Sequence, residues 1–128
     1  MDILLNTHTF LWNGMASPKL SEYAQILMQN PAHRKYLSIA SPWELSIKIG
    51  AGKFRLSEPV DVFFDEQMRL DNVQLLPITL LHLTRISVLP LHHRDPFDRM
   101  LIAQSLVENI AIVSADAMFD AYGVERLW

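Results

Sequence analysis

The sequence predicts an α/β fold in which a parallel sheet is covered by helices on both faces. Short apolar runs that read as strands alternate with amphipathic stretches at helical spacing. The stretches between them carry helix caps and turn residues rather than linkers or repeats. The chain is also large and apolar enough for a buried core: 128 residues, 50% hydrophobic and 20% charged. That composition excludes a disordered chain, and the length fits a single domain over residues 1–128.

The elements follow in order. Ile3-Leu4-Leu5 reads as a buried strand, followed by a turn at Asn6-Thr7-His8 into a short helix over Thr9 to Asn13. Ser17-Pro18 has the form of a helix cap with proline in the first turn; Leu20, Tyr23, Ala24 and Leu27 recur at helical spacing until Asn30-Pro31. Tyr36 to Ala40 is a second strand, and Ser41-Pro42-Trp43-Glu44 reads as a capping box opening a helix toward Gly50. Pro59 to Leu70 is amphipathic through Val60, Phe63, Phe64 and Met68. Val73 to Ile78 is strand-like, and Thr79 caps a helix with Leu80, Leu83 and Ile86. Leu89 to Arg94 is a loop. Asp95-Pro96-Phe97-Asp98 then opens a helix with Leu101, Ile102, Ser105 and Leu106 inward. Ala111-Ile112-Val113 is a strand ending at Ser114-Ala115-Asp116, and Val124 to Leu127 is a last short strand.

Charge and residue usage narrow the function. A net charge of −3 argues against a broadly basic nucleic-acid binder, but leaves room for a local basic patch or for acids neutralised by metal ions. With 0 cysteines there is no disulfide framework and no thiolate metal site, as in a reducing compartment. No basic region precedes an apolar stretch at the N-terminus, and no apolar run is long enough for a membrane span, so a cytoplasmic chain without membrane contact is expected. No GxGxxG or GxxxxGK[ST] loop occurs.

The acids fall in a pattern. Asn6 and Asp116 follow the carboxyl ends of strands, and Glu44 and Asp98 lie in first turns of helices. Ligands of open α/β sheets bind beyond the strands' carboxyl ends. These four positions, three of them carboxylates, therefore have one edge at which to meet, and clustered carboxylates call for a hard divalent cation. Each residue alone also has a plain structural reading. Glu44 and Asp98 sit three residues after a cap, Asp116 suits an N-cap, and Asn6 suits a turn. The pair His92-His93 reads as a solvated loop, and Trp12 and Trp43 as core. Lys48, Lys53, Arg55, Arg94 and Arg99 read first as surface charges, with phosphate contact as the alternative. Thr7 and Ser114, after strand ends, serve equally as turn residues or as partners of a metal-bound water.

Four stretches carry a family resemblance: LLNTHTFLW at 4–12, SPWELSIKIGAGKFRL at 41–56, LPLHHRDPFDRMLIAQSL at 89–106 and VSADAMFDAYGVERLW at 113–128. In this order they resemble the PIN-domain family and, within it, the VapC toxins of toxin–antitoxin pairs. The resemblance implies a three-layer α/β/α fold with a five-stranded parallel sheet. It implies an endoribonuclease dependent on Mg²⁺ or Mn²⁺, with RNA as substrate, a cognate antitoxin protein as partner and a homodimer as assembly. Of the family's four metal-binding acids, the last three fall on Glu44, Asp98 and Asp116. Ser114 matches the Ser or Thr that usually precedes the last acid by two residues, and Asp95 belongs to the subgroup motif as a helix cap.

The first acid differs. Asn6 stands where the family has Asp, supplying a carbonyl oxygen without the charge. Asp2, four residues back on the same strand, is roughly 13 Å away and no replacement. Two functions follow from the resemblance: a metal-dependent endoribonuclease toxin impaired by Asn6, or a catalytically impaired domain that binds antitoxin and RNA. For the latter, the helices near Ser17–Asn30 and Pro59–Leu70 offer apolar faces for a partner helix. A phosphoacceptor receiver domain is disfavoured. Asn6-Thr7 lacks its paired acids, and Val124–Trp128 lacks its lysine.

Overall fold

A computed structural model describes all 128 residues, Met1–Trp128. Five parallel strands form one sheet in the order β3-β2-β1-β4-β5. They are β1 (Asp2–Leu5), β2 (Arg34–Ser38), β3 (Val73–Leu76), β4 (Ala111–Val113) and β5 (Arg126–Leu127). Six α-helices lie between them: α1 (Thr7–Gly14), α2 (Glu22–Gln29), α3 (Ala40–Gly50), α4 (Val60–Asp71), α5 (Leu80–Ser87) and α6 (Pro96–Glu108). A 3-10 turn covers Ala117–Tyr122. No helix is long and apolar enough to cross a membrane.

The pleat divides the core into two layers. Ile3 and Leu5 face one side of the sheet, with Phe10 of α1, Ala24 and Leu27 of α2, Leu45 of α3 and Phe64 of α4. Leu4 faces the other, with Ile112, Leu101 and Ile102 of α6, and Phe119 of the 3-10 turn. The α/β/α layering expected from the sequence is thus realised, since strands buried on both faces need helices on both faces.

Strand order places the site. From β1 the chain moves outward to β2 and β3, then returns to β1's other side with β4. The reversal leaves a crevice beyond the carboxyl ends of β1 and β4. Asn6 N–H continues the ladder by donating to Val113 O at 3.1 Å, and Thr9 Oγ1, in α1, donates to the same carbonyl at 2.8 Å.

Several local expectations need correction. The helix after Ser17-Pro18 begins only at Glu22. Ser21 is the residue whose side chain accepts from a helical N–H, that of Ala24 at 3.1 Å, while Ser17 closes a turn onto Lys19 N–H. Strand β2 ends at Ser38, two residues earlier than its apolar continuation suggests, because Ser38 Oγ accepts from Ala40 N–H and the chain turns directly into α3. Ser41 therefore lies inside α3 and does not cap it, and no capping box with Glu44 exists. Strand β5 spans two residues rather than four. The expected caps at Thr79 and Asp95 do form, and His82 Nδ1 accepts from Thr79 N–H. Helices α4 and α6 each end on asparagine, Asn72 and Asn109, at φ 54, where asparagine tolerates the left-handed conformation.

Candidate functional site

Asn6 leaves β1 as the N-cap of α1. Its Oδ1 accepts from His8 N–H at 3.0 Å, and the residue is buried. The cap holds the side chain at the sheet edge, but it also engages the single oxygen an asparagine has. Asp116 leaves β4 in the same manner. Its N–H donates to Ser114 Oγ at 3.0 Å, and its Oδ1 accepts from Met118 N–H at 3.0 Å, capping the 3-10 turn. Arg126 on β5 braces this turn, donating to Ser114 O at 3.1 Å while pairing with Asp120 at 2.8 Å. That hydrogen-bonded pairing holds the Asp120 carboxyl below its ordinary range and raises the guanidinium further.

Asp98 enters from the first turn of α6. Asp95 is the cap: its Oδ1 accepts from Phe97 N–H at 2.8 Å and from Asp98 N–H at 3.3 Å, and Pro96 occupies the first helical position. Asp98 Oδ2 lies 3.2 Å from His93 Nε2, and Asp116 Oδ2 lies 2.9 Å from the same nitrogen. The Asp98 carboxyl is pushed up to about 7. Burial is the largest cause. The nearby charges of Asp95, Glu44 and Asp116 add to it, and His93 opposes it.

Glu44 lies within reach of Asp98's charge. It is buried on α3, where Oε1 accepts from Thr7 Oγ1 at 3.2 Å and Oε2 from Lys48 Nζ at 3.0 Å. Thr7 Oγ1 also shares a 2.7 Å hydrogen bond with Ser41 Oγ, which ties the start of α1 to the start of α3. Across the gap, the Trp43 ring meets Phe97 edge-on at 5.0 Å and joins α3 to α6.

Asn6, Asp98, Ser114 and Asp116 line one cavity of about 310 Å³, walled by His8, Thr9, Trp12 and Ala115. Glu44 faces the neighbouring cavity of about 270 Å³, beside Lys48, Lys53 and Asp95. Three of the four anticipated positions thus share a cavity. The fourth is held next door, close enough for its charge to act on Asp98.

The sequence reading fails at other positions. His93 is buried and bridges two acids, whereas its neighbour His92 is exposed as expected. A histidine pair beside a helix cap carries no periodic signal, so only the fold identifies which ring turns inward. Trp43 is not core; it is 57% exposed. Trp12 is partly buried against Trp128 and forms a wall of the cavity. Arg99 is not a free rim charge. Its guanidinium donates to the carbonyls of Pro90 at 2.9 Å and Leu89 at 3.3 Å, closing the loop before α6. Arg94 is exposed, and Lys48 is paired with Glu44.

The donor set fits a hard divalent cation. Two carboxylates approach one imidazole nitrogen at 2.9 and 3.2 Å, one of them driven toward its neutral form mainly by burial, and their oxygens suit Mg²⁺ or Mn²⁺.

Comparison with known proteins bears on the fold and the family. Solved structures share the fold. VapBC2 from Rickettsia felis, bound to a DNA fragment from their promoter, matches with a TM-score of 0.70 at 14% identity, covering 99% of this chain and 98% of that one. VapBC-1 from nontypeable Haemophilus influenzae matches at 0.65 and 16%, covering 99% and 97%. FitAcB from Neisseria gonorrhoeae matches at 0.62 and 18%, covering 98% and 96%. No curated protein matches the sequence. The family model described as PIN domain matches residues 3–125, and with nearly its whole length so matched, the chain belongs to the PIN-domain family.

Proposed function

We propose that this chain is a metal-dependent endoribonuclease of the toxin–antitoxin type, working at the cavity beyond β1 and β4 and weakened by Asn6. The observation that carries the proposal is the convergence of Asn6, Asp98 and Asp116 in one cavity, with Glu44 adjacent and Asp98 short of countercharge. Bound Mg²⁺ or Mn²⁺ would polarise a phosphodiester oxygen and lower the pKa of a water. Asp98 and Asp116 would hold the cation, with the charge of Glu44 nearby and Asn6 contributing at most a carbonyl oxygen. Ser114 Oγ, already fixed by Asp116 N–H, faces the same cavity and would orient the attacking water. Lys48 and Lys53, which line the adjoining cavity, would meet the RNA backbone; such contacts position the strand without reading its sequence.

A protein partner belongs to the same reading. The similar structures from Rickettsia felis and Haemophilus influenzae are VapBC assemblies. Here Val60, Phe64 and Met68 of α4 line an apolar groove of about 480 Å³ with Ile39, Pro42 and Leu75. We assign this groove to an antitoxin helix. Helix α4 is one of the two helices expected to offer an apolar face; Pro42 of α3 and Leu75 of β3 line the groove with it.

The test is cleavage of a panel of structured RNAs by the native chain and by Asn6→Asp, each with Mn²⁺, with Mg²⁺ and with chelator. We expect weak or no cleavage by the native chain and cleavage raised by orders of magnitude in Asn6→Asp, abolished by chelator. If Asn6→Asp binds Mn²⁺ no better than the native chain and cuts nothing, the nuclease reading is wrong. Antitoxin and RNA binding without any cleavage, in both proteins, would instead favour a binding module.

A further inference from the structure

We infer that His93 is a positioning residue that sets the angle at which Asp98 and Asp116 present themselves to the cavity, neither ligating the cation nor competing with it. The inference rests on the metal-dependent reading above.

The imidazole is fixed from several sides before either acid is considered. Its backbone N–H donates to Tyr122 Oη at 2.7 Å, and His92 N–H donates to the same oxygen at 2.9 Å. Arg99 donates to the same phenol oxygen at 3.3 Å and to the loop carbonyls of Pro90 and Leu89, and the Phe119 ring packs 5.7 Å from the imidazole. Asp95 N–H donates to His93 Nδ1 at 3.2 Å. A nitrogen that accepts a hydrogen bond presents its lone pair, so the ring proton lies on Nε2. That nitrogen is then the donor to Asp116 Oδ2 at 2.9 Å, and Asp98 Oδ2 lies 3.2 Å from it without completing a second hydrogen bond.

Three consequences follow from this geometry. The nitrogen near the acids carries a hydrogen and has no lone pair to offer a cation; a ligating histidine has the opposite pattern, donating from its far nitrogen. The ring is also absent from the cavity lining, which is made by Asn6, Asp98, Ser114 and Asp116 with α1, so His93 stands behind the acids. Finally, Asp116 Oδ2 is taken by His93, and Asp98 Oδ2 is held 3.2 Å from the same ring nitrogen, so the ring limits how either carboxylate turns. Asp116 Oδ1 is further aligned by Met118 N–H. Outer hydrogen bonds of this kind hold ligating carboxylates in place, and their loss typically costs about 10–100-fold in metal affinity.

The experiment compares the native chain with His93→Gln, which keeps an N–H donor near the Nε2 position, and with His93→Leu, which keeps bulk alone. Mn²⁺ binding is followed by electron paramagnetic resonance, with spin-echo modulation to detect a directly bonded nitrogen. We expect about 10–100-fold weaker Mn²⁺ binding in His93→Leu and recovery of most of it in His93→Gln, with no nitrogen coupling in any of them. Nitrogen-15 shifts of the native, metal-free ring should report the proton on Nε2, a readout that survives if His93→Leu fails to fold. Nitrogen coupling to Mn²⁺ would make His93 a ligand. Equal or tighter binding by His93→Leu would make it a bystander or a competitor. A proton on Nδ1 would remove the donor. Each of these overturns the inference while native Mn²⁺ binding leaves the proposed function standing. Failure of both the native chain and Asn6→Asp to bind Mn²⁺ would overturn the two together.

Discussion

Asp98 governs the response of the metal-free site to pH. Its carboxyl is raised in the folded state from 3.8 to about 7, first by burial and then by neighbouring acids. Between those values the folded chain holds a proton that the unfolded chain has released, so stability falls as pH climbs from about 4 to about 7 and levels off above. Discounted for partial solvent access, this group's share of the loss between pH 5 and 7 is about 1–2 kcal/mol. Thermal melts without metal should therefore show a higher midpoint at pH 5 than at pH 7.5, and saturating Mn²⁺ should shrink or reverse the difference. Glu44 separates structural from functional roles just as directly. Since it caps nothing, Glu44→Gln keeps an acceptor for Thr7 and loses only a charge and a partly exposed pair with Lys48. We expect a stability change within about 0.5 kcal/mol but clearly weaker Mn²⁺ binding by calorimetry. Equal Mn²⁺ affinity would remove Glu44 from the site. At this scale the sequence was readable for the acids, because strand ends and first turns are marked by their neighbours. It was not readable for His93, whose role depends on an N–H, a phenol and two carboxylates from separate segments.

Helix α6 shows how one cap serves two ends. Asp95 satisfies two N–H groups of the first turn, and its charge is the second cause of the raised Asp98. Asp95→Asn preserves the oxygen and discards the charge, so it should bring Asp98 down and stabilise the metal-free protein above pH 7. Asp95→Ala loses the cap as well, at about 1 kcal/mol. Urea melts of both variants at pH 5 and pH 7.5 check this: the advantage of Asn over the native residue should appear only at the higher pH, and an equal advantage at both would separate Asp95 from the Asp98 charge. Helix α6 was legible because proline at its first position and Asp95 before it are local signals. Helix α3 was not. The chain turns into it at Ser38, whose Oγ accepts from Ala40 N–H, while Ser41, the residue with the capping signature, bonds Thr7 34 positions away; local capping grammar thus placed Glu44 at the site edge for the wrong reason.

Across the whole molecule, Asn6→Asp links charge to assembly. A fourth acid should destabilise the metal-free chain through repulsion with Asp98 and Asp116, and should stabilise it in millimolar Mn²⁺ by mass action. Melts in the two buffers should shift in opposite directions, and parallel shifts would count against the shared cavity as a cation site. We also expect a homodimer, for which a monomer in light scattering at tens of micromolar would be the contrary result. Exposed Leu80, Leu81 and Leu83 on α5 and Val88 just beyond it supply apolar surface for such a contact. The layered fold was legible from the alternation of elements. The strand order was not, since nothing local says that β4 returns to the side of β1. That return has a consequence in time. Thr9 meets Val113 across 104 positions, so the first wall of the cavity leaves the ribosome long before the last. At about 5–20 residues per second, several seconds separate them, and during that interval the nascent chain has no place to gather its acids. The cavity therefore exists only when the chain is nearly finished, however early its first wall is made.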